Sequence, residues 1–299
     1  IKRNMMKRIK QLLVRFVRFV DTRRAYRFYI KDWTSLDELH LASQVVNSMR
    51  FTRQINPVEL DFPKGRSVVV IAPHPDDEVI GPGGTLIKAA IAGAKITIVY
   101  LTSGPEKLVE TLEKEARLAA EDIQAGTEFL RWPVNDIPDT DESIRSLSKK
   151  IACHQPDTIM VSFCLDDHDD HRRASDLLMR IADAKLLNPD IEIWAYQVYS
   201  AVLPNVVVDI TEVAERKKNN VAVYQSQYVS RNWGHFALGL NAWNCRFLKG
   251  RGSKLSYAEL FLVLPLDAYS DICRKYFVSS DKTYYTARYT DDSRYEAKG

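Results

Sequence analysis

The chain has 299 residues, 45% of them hydrophobic and 27% charged, which suits one large α/β domain with a buried core and excludes disordered and fibrous classes. A formal net charge of +3 excludes a whole-molecule electrostatic nucleic-acid binder. The cysteines Cys153, Cys164, Cys245 and Cys273 form no C-x-x-C pair and have no zinc-finger spacing, so reduced buried thiols in a reducing compartment, the cytoplasm, are expected.

From Ile1 to Ser35 the basic residues between Lys2 and Lys31 greatly outnumber Asp21 and Asp32, while Met5, Ile9, Leu12, Leu13, Phe16, Val17 and Val20 recur at helical spacing. This reads as a basic amphipathic helix. Lys10, Arg15 and Arg18 interrupt it too often for a membrane span, and no h-region of a secretory signal follows. Such a helix packs on its own domain or on a second subunit, or lies through residues 5–31 on an anionic membrane surface, which would make the protein peripheral. Linker-like composition runs on to about Pro63. The expected organisation is an N-terminal extension over 1–63, an α/β domain over 64–279 and a polar tail over 280–299.

Beyond Arg66 strands and helices alternate. Ser67 to Ala72 is a continuous β-branched run, expected as a buried parallel strand. A helix follows from Gly83 to Ile91, a strand from Lys95 to Leu101, and helices over Glu106–Gln124 and Glu142–His154. Thr158 to Phe163 is again an apolar strand. The spacing predicts a helix from His171 to Leu187, stopping before Pro189. Strands at Ile191–Tyr199 and Val206–Ile210, helices at Glu212–Gln227 and Phe236–Phe247, a strand at Leu260–Leu264 and a helix at Ala268–Phe277 complete the domain. This order implies βαβ units, a mostly parallel sheet and helices on both faces. Ligands of such sheets bind beyond the carboxyl ends of the strands.

Two motifs fall at such ends. His74-Pro75-Asp76-Asp77-Glu78 follows the strand at Ser67–Ala72, and Asp166-Asp167-His168-Asp169-Asp170-His171 follows the strand at Thr158–Phe163. Gathered in one crevice, so many carboxylates and imidazoles would repel and be costly to desolvate; a divalent cation removes that cost. Two imidazoles and one carboxylate make a tripod for zinc with one position open to water. A further carboxylate can serve as general base, and a further histidine can stabilise an oxyanion.

These residues resemble the PIG-L/LmbE-like family of zinc-dependent N-deacetylases. The likeness runs from about Arg66 to Pro265: VVVIAPHPDDEVIGPGG over Val68–Gly84, Thr102-Ser103-Gly104, Glu115 in its helix, Trp194-Ala195-Tyr196, Val208-Asp209-Ile210-Thr211, Lys217, Tyr224 and Tyr257–Phe261 come in the family's order. The resemblance implies a Rossmann-like fold and one Zn2+ per chain on His74, Asp77 and His171, other divalent metals being possible. Asp76 resembles the general base toward the water that the metal activates. His168 resembles the group that stabilises the oxyanion or protonates the leaving amine, and Asp170 a group that orients a histidine. The implied reaction removes an N-acetyl (acyl) group from an amino-sugar-containing or lipid-linked substrate. Three departures stand out: Asp169 where proline is common, Leu112-Glu113-Lys114 where many members carry a substrate-contacting arginine, and the long N-terminal extension. Two other classes compete, a non-haem iron enzyme on the same His/Asp/His set and a non-catalytic glycan- or membrane-binding scaffold.

Among the remaining features, Gly81-Pro82-Gly83-Gly84-Thr85 resembles a phosphate cradle but lacks a P-loop lysine, so a structural turn is expected. Arg172 and Arg173 are expected to contact an anionic substrate or to sit on a solvated helix face. Arg231, Asn232, Trp233 and His235 are candidates for shaping specificity or for packing.

Overall fold

The computed structural model describes residues 57–229 and 231–277; the N-terminal helix and the polar tail read above lie outside them. The strands are β1 (Val58–Leu60), β2 (Ser67–Ala72), β3 (Lys95–Thr102), β4 (Gly126–Trp132), β5 (Thr158–Ser162), β6 (Glu192–Tyr196), β7 (Val206–Asp209) and β8 (Ala258–Pro265). They form one sheet in the order β1-β7-β8-β6-β5-β2-β3-β4. All pairings are parallel except those of β8, which runs antiparallel to both β6 and β7.

The helices are α1 (Asp77–Ile80), α2 (Gly83–Ile91), α3 (Val109–Asp122), α4 (Asp141–Ala152), α5 (Asp169–Asp183), α6 (Ala214–Val221), α7 (Gln225–Tyr228), α8 (Trp233–Asn244) and α9 (Leu266–Phe277). Alternate residues of β2 serve opposite cores. Val68, Val70 and Ala72 pack with Leu86 and Ile87 of α2 and with Ala116 and Ala120 of α3. Val69 and Ile71 pack with Leu147 and Ile151 of α4, Leu177 and Leu178 of α5, and Leu266 of α9. With both faces covered the strand must be apolar throughout, which is why SVVVIA shows no alternation. Each such valine or leucine contributes about 1.5–3 kcal/mol on burial.

β2 lies between β3 and β5. The chain leaves β2 toward β3 on one side and later enters β5 on the other. The crevice beyond the carboxyl ends of β2 and β5 is therefore the topological switch point of the sheet.

The differences from the sequence reading have local causes. β1 lies within the segment read as linker and pairs with β7. β4 was not expected, because GTEFLRW is an edge strand with no fully buried residue. The helix expected over Glu212–Gln227 is broken after Val221, and Tyr224 leaves helical geometry with ψ 65° while its hydroxyl bonds the buried Glu78. That tertiary bond outweighs local helical spacing.

The far edge of the sheet is pinned by the buried carboxylate of Glu113 on α3. It accepts from Arg131 Nε (2.6 Å) and Nη2 (2.9 Å), Arg117 Nη2 (2.9 Å) and Ser103 Oγ (3.0 Å). Arg131 itself adopts φ 56° next to a register shift between β3 and β4. The Arg131 bonds come first in holding the Glu113 carboxyl down at about 2, against an ordinary 4.5. A folded-state value below the unfolded one stabilises the fold above pH 4.5, and the gain is lost as pH falls through about 2. Because Arg131 and Arg117 are 63% and 50% exposed, solvent screening reduces the gain to about 1 kcal/mol. Glu113→Gln is expected to lower stability by that amount at neutral pH and to flatten the acid limb, as measured by urea unfolding at a series of pH values.

Candidate active site

The segment after β2 is tied to β3, since Pro73 O accepts from Thr102 N (3.1 Å) and Thr102 Oγ1 (2.9 Å). His74 comes next. Asp76 adopts φ 114°, unusual for a residue with a side chain, and its N–H donates to Glu78 Oε2 (3.1 Å). This turn starts α1 at Asp77. After β5, His168 caps α5: its Nδ1 accepts the N–H of Asp170 at 3.1 Å. Asp169 and Asp170 thus occupy a first helical turn, where the helix dipole favours acid, and α5 begins two residues before the expected start at His171.

The two motifs meet. Asp77 Oδ2 lies 3.2 Å from His74 Nδ1 and 3.2 Å from His171 Nε2. The same oxygen accepts the N–H of His74 (2.9 Å). His74 Nε2 is 2.8 Å from Asp170 Oδ2, which also accepts from Asn135 N (2.9 Å). On the other side His171 Nδ1 lies 3.0 Å from Asp166 Oδ1. Each imidazole therefore turns one nitrogen toward Asp77 and the other toward a separate carboxylate. Ring nitrogens of His74, His168 and His171 also lie within 4.8 Å of one another.

Two ligand sets for a cation can be drawn from these atoms, His74/Asp77/His171 and His74/His168/His171. The first fits better. Both ring nitrogens of His171 are buried without a hydrogen bond; Nδ1 has Asp166 Oδ1 beside it, and Nε2 faces Asp77 Oδ2. An orphaned buried nitrogen costs about 1–3 kcal/mol, and a cation between it, Asp77 and His74 removes that cost. His168 has one nitrogen committed to the cap, and its ring stands beside the tripod, 4.7 Å from that of His74 and 5.0 Å from that of His171.

Electrostatics separate the groups. Burial opposes charge on His74, yet Asp170 and Asp77 together raise it to about 9. Burial and the neighbouring His171 and His74 push His168 down to about 3, so it is neutral. The Asp76 carboxyl is raised well above the carboxylate range, by burial first and then by Asp77 and Glu78. Asp77 is lowered: burial acts upward, and His171 and His74 outweigh it.

Asp166 and Glu78 belong to the two motifs, but the sequence reading gave neither a role. Asp166 is fully buried: its Oδ1 also accepts His168 N (3.1 Å), and its Oδ2 accepts Tyr199 N (3.1 Å) and Ser200 N (3.3 Å). Glu78, raised to about 7 by burial, bonds Tyr224 Oη and stands beneath Asp76. The signal for both was their place in the motifs; their partners are far off in sequence. Arg172 and Arg173 do not form a solvated helix face. Both are buried; Arg172 reaches Asp169 and the Asp166 carbonyl, and Arg173 reaches Asp139 and Asp176.

The Gly81–Thr85 turn is structural. The Glu259 carboxylate accepts Gly84 N (2.7 Å), Thr85 N (2.8 Å) and Thr85 Oγ1 (2.6 Å) at the start of α2, the place a phosphate would take. A Cβ on Gly81 would come 2.5 Å from the Tyr196 ring, so only glycine fits there. Tyr199, 47% exposed, stacks on His171 (5.3 Å) and meets Trp233 (6.2 Å), forming an aromatic wall beside the tripod.

Residues 69–182 match the family model for PIG-L, GlcNAc-PI de-N-acetylase. A diacetylchitobiose deacetylase of Thermococcus kodakarensis is 29% identical over 197 residues, covering 56% of this chain and 72% of that protein. Among solved structures, N,N'-diacetylchitobiose deacetylase of Pyrococcus horikoshii, in complex with an inhibitor, superposes with TM-score 0.59 and 24% identity, covering 80% of this chain and 97% of that one. A 4-carboxy-2-hydroxymuconate hydratase of Pseudomonas putida shares the fold at TM-score 0.56 and 19% identity, over 67% of this chain and 96% of its own. The residues that match the PIG-L family model span β2 to α5 and hold both histidine–aspartate motifs.

Proposed function

We propose that this crevice holds one zinc ion on His74, Asp77 and His171 and hydrolyses the N-acetyl, or another N-acyl, amide of an amino-sugar-containing or lipid-linked substrate. The observation that carries the reading is the single Asp77 oxygen shared at 3.2 Å by His74 Nδ1 and by the otherwise unpartnered His171 Nε2. The relative named a diacetylchitobiose deacetylase supports this reaction class and an amino-sugar substrate. A bound zinc supplies water acidified to a pKa of about 7 and a polarised amide carbonyl.

The chain's own groups do the rest. Asp76, with its raised pKa, takes the proton of the attacking water as the C–O bond forms, and returns a proton to nitrogen as the C–N bond breaks. The products are a carboxylic acid and an amine. His168 is neutral, and its Nδ1 accepts the Asp170 N–H, so Nε2 carries the ring proton. That tautomer donates a hydrogen bond to the developing oxyanion, which favours oxyanion stabilisation over protonation of the amine. Asp170 and Asp166 set the outward nitrogens of His74 and His171, as carboxylates behind metal-bound histidines do. Tyr199 and Trp233 offer a face on which a sugar ring can stack.

Asp170→Asn and Asp166→Asn are each expected to weaken zinc affinity by about 10–100-fold. Competition titration against a chelating dye measures this, and unchanged affinity in both would remove the orienting role. The function is tested by elemental analysis of protein purified without chelators, paired with acetate release from N-acetylglucosamine and a panel of its glycosides. About one zinc per chain with acetate release is expected. No bound metal after zinc is offered would overturn the reading, as would oxygen-dependent turnover on iron.

A further inference from the structure

At the end of the sheet opposite the crevice, three metal-binding side chains of different chemistry meet. Cys153 and His154 follow α4, and Gln155, at φ 46°, turns the chain toward β5. Glu128 on the edge strand β4 faces them. One ligand atom from each of Glu128, Cys153 and His154 lies within 4.8 Å of the other two. We propose that Glu128, Cys153 and His154 form a second divalent-cation site, distinct from the catalytic tripod, that takes zinc and staples the edge of the sheet.

The surroundings suit that ligand set. His154 Nε2 points at Glu128 Oε1 (2.7 Å), while Nδ1 faces Thr97 Oγ1 at 3.5 Å. One nitrogen is thus set toward the cluster and the other toward a polar oxygen, as in metal-ligating histidines. The His154 carbonyl accepts from Ser67 Oγ (2.8 Å), which fixes the backbone at the site. Lys150 Nζ contacts Glu128 Oε2 (2.7 Å), leaving Oε1 on the His154 side. Cys153 is an exposed thiol in no disulfide; it donates to Lys150 O (3.0 Å) at the C-terminus of the twelve-residue α4, where the helix dipole favours a cation. On binding, the thiol gives its proton to solvent and sulfur bonds the metal. Thiolate, imidazole and carboxylate with one water make the four-coordinate shell that zinc prefers. The cation would tie β4, which among the described residues has a neighbour on one side alone, to the α4–β5 turn.

Cobalt(II) reads this site apart from the catalytic one, because His74, Asp77 and His171 contain no thiolate. The full chain is titrated with Co2+ while the near-ultraviolet thiolate-to-cobalt charge-transfer band is followed. The wild type is expected to develop the band, Cys153→Ser to lose it and Cys245→Ser to keep it. Glu128→Gln and His154→Ala are expected to weaken the apparent affinity behind the band by about 10–100-fold or more. Acetate release by Cys153→Ser should match the wild type, which shows that the fold is intact. No band in the wild type, a band surviving in Cys153→Ser, or undiminished affinity in both Glu128→Gln and His154→Ala would overturn the site. Loss of acetate release in every protein alongside a normal band would count against the deacetylase reading and leave this site standing.

Discussion

Asp76→Asn is expected to lower kcat by about 10²–10⁴-fold, the range a positioned general base supplies, with KM and zinc content close to wild type. Asparagine keeps the side chain's shape and tolerates positive φ better than most residues, so the turn at φ 114° should survive. It cannot take a proton from water. The raised pKa of Asp76 has burial as its first cause and the charges of Asp77 and Glu78 after it. In the proposed mechanism Asp76 takes the proton of the attacking water, whereas Asp77 faces the two histidines. Steady-state kinetics with metal analysis on the same sample separates the roles. Asp77→Asn should lose metal and activity together, while Asp76→Asn should lose activity alone. Wild-type turnover in Asp76→Asn would remove the base from the mechanism.

The two motifs that meet in the crevice were legible for a physical reason. β2 and β5 are buried on both faces, so they read as unbroken apolar runs, and the two polar motifs stand out where those runs end. His74, Asp77 and His171 could be named because a tripod needs two imidazoles and a carboxylate, and the motifs supply them. Apart from Asp170, what lies behind these three residues was not legible, because its contacts span the chain. Asp166 meets Tyr199 and Ser200, and Glu78 meets Tyr224, through separations that no local pattern encodes. β1 and β4 escaped for the opposite reason: they are partly exposed edge strands whose mixed composition resembles loop. Arg172 shows the same limit. As part of HRRAS it reads as solvent-facing helix, yet it folds back to neutralise Asp169 beside a crowded acidic loop.

Lys217→Met is expected to cost about 3–5 kcal/mol of stability, the penalty for leaving one member of a buried ion pair alone. Lys217 is fully buried and Glu259 is 2% exposed, with 2.7 Å between Nζ and Oε1. The pair sits across the loop between α1 and α2. Lys217 Nζ donates to Ile80 O (2.8 Å) and Gly81 O (3.1 Å), carbonyls at the end of α1. Glu259 accepts the N–H groups of Gly84 and Thr85 that open α2. Cation at a helix C-terminus and anion at an N-terminus both match the dipoles, and both satisfy backbone groups that have no partner inside their helices. Burial lowers the Lys217 pKa and Glu259 opposes that fall, so the lysine depends on its partner for its charge. At roughly 2–4 °C per kcal/mol for a domain of this size, thermal unfolding should begin about 10 °C lower. Because α1 begins with Asp77, zinc affinity should fall with stability. The double variant Lys217→Met/Glu259→Gln, with no unpaired buried charge, should recover part of the stability. A Lys217→Met protein with wild-type melting would mean that Glu259 is held by the start of α2 alone, and that the ion pair has no part in fixing the turn behind the tripod.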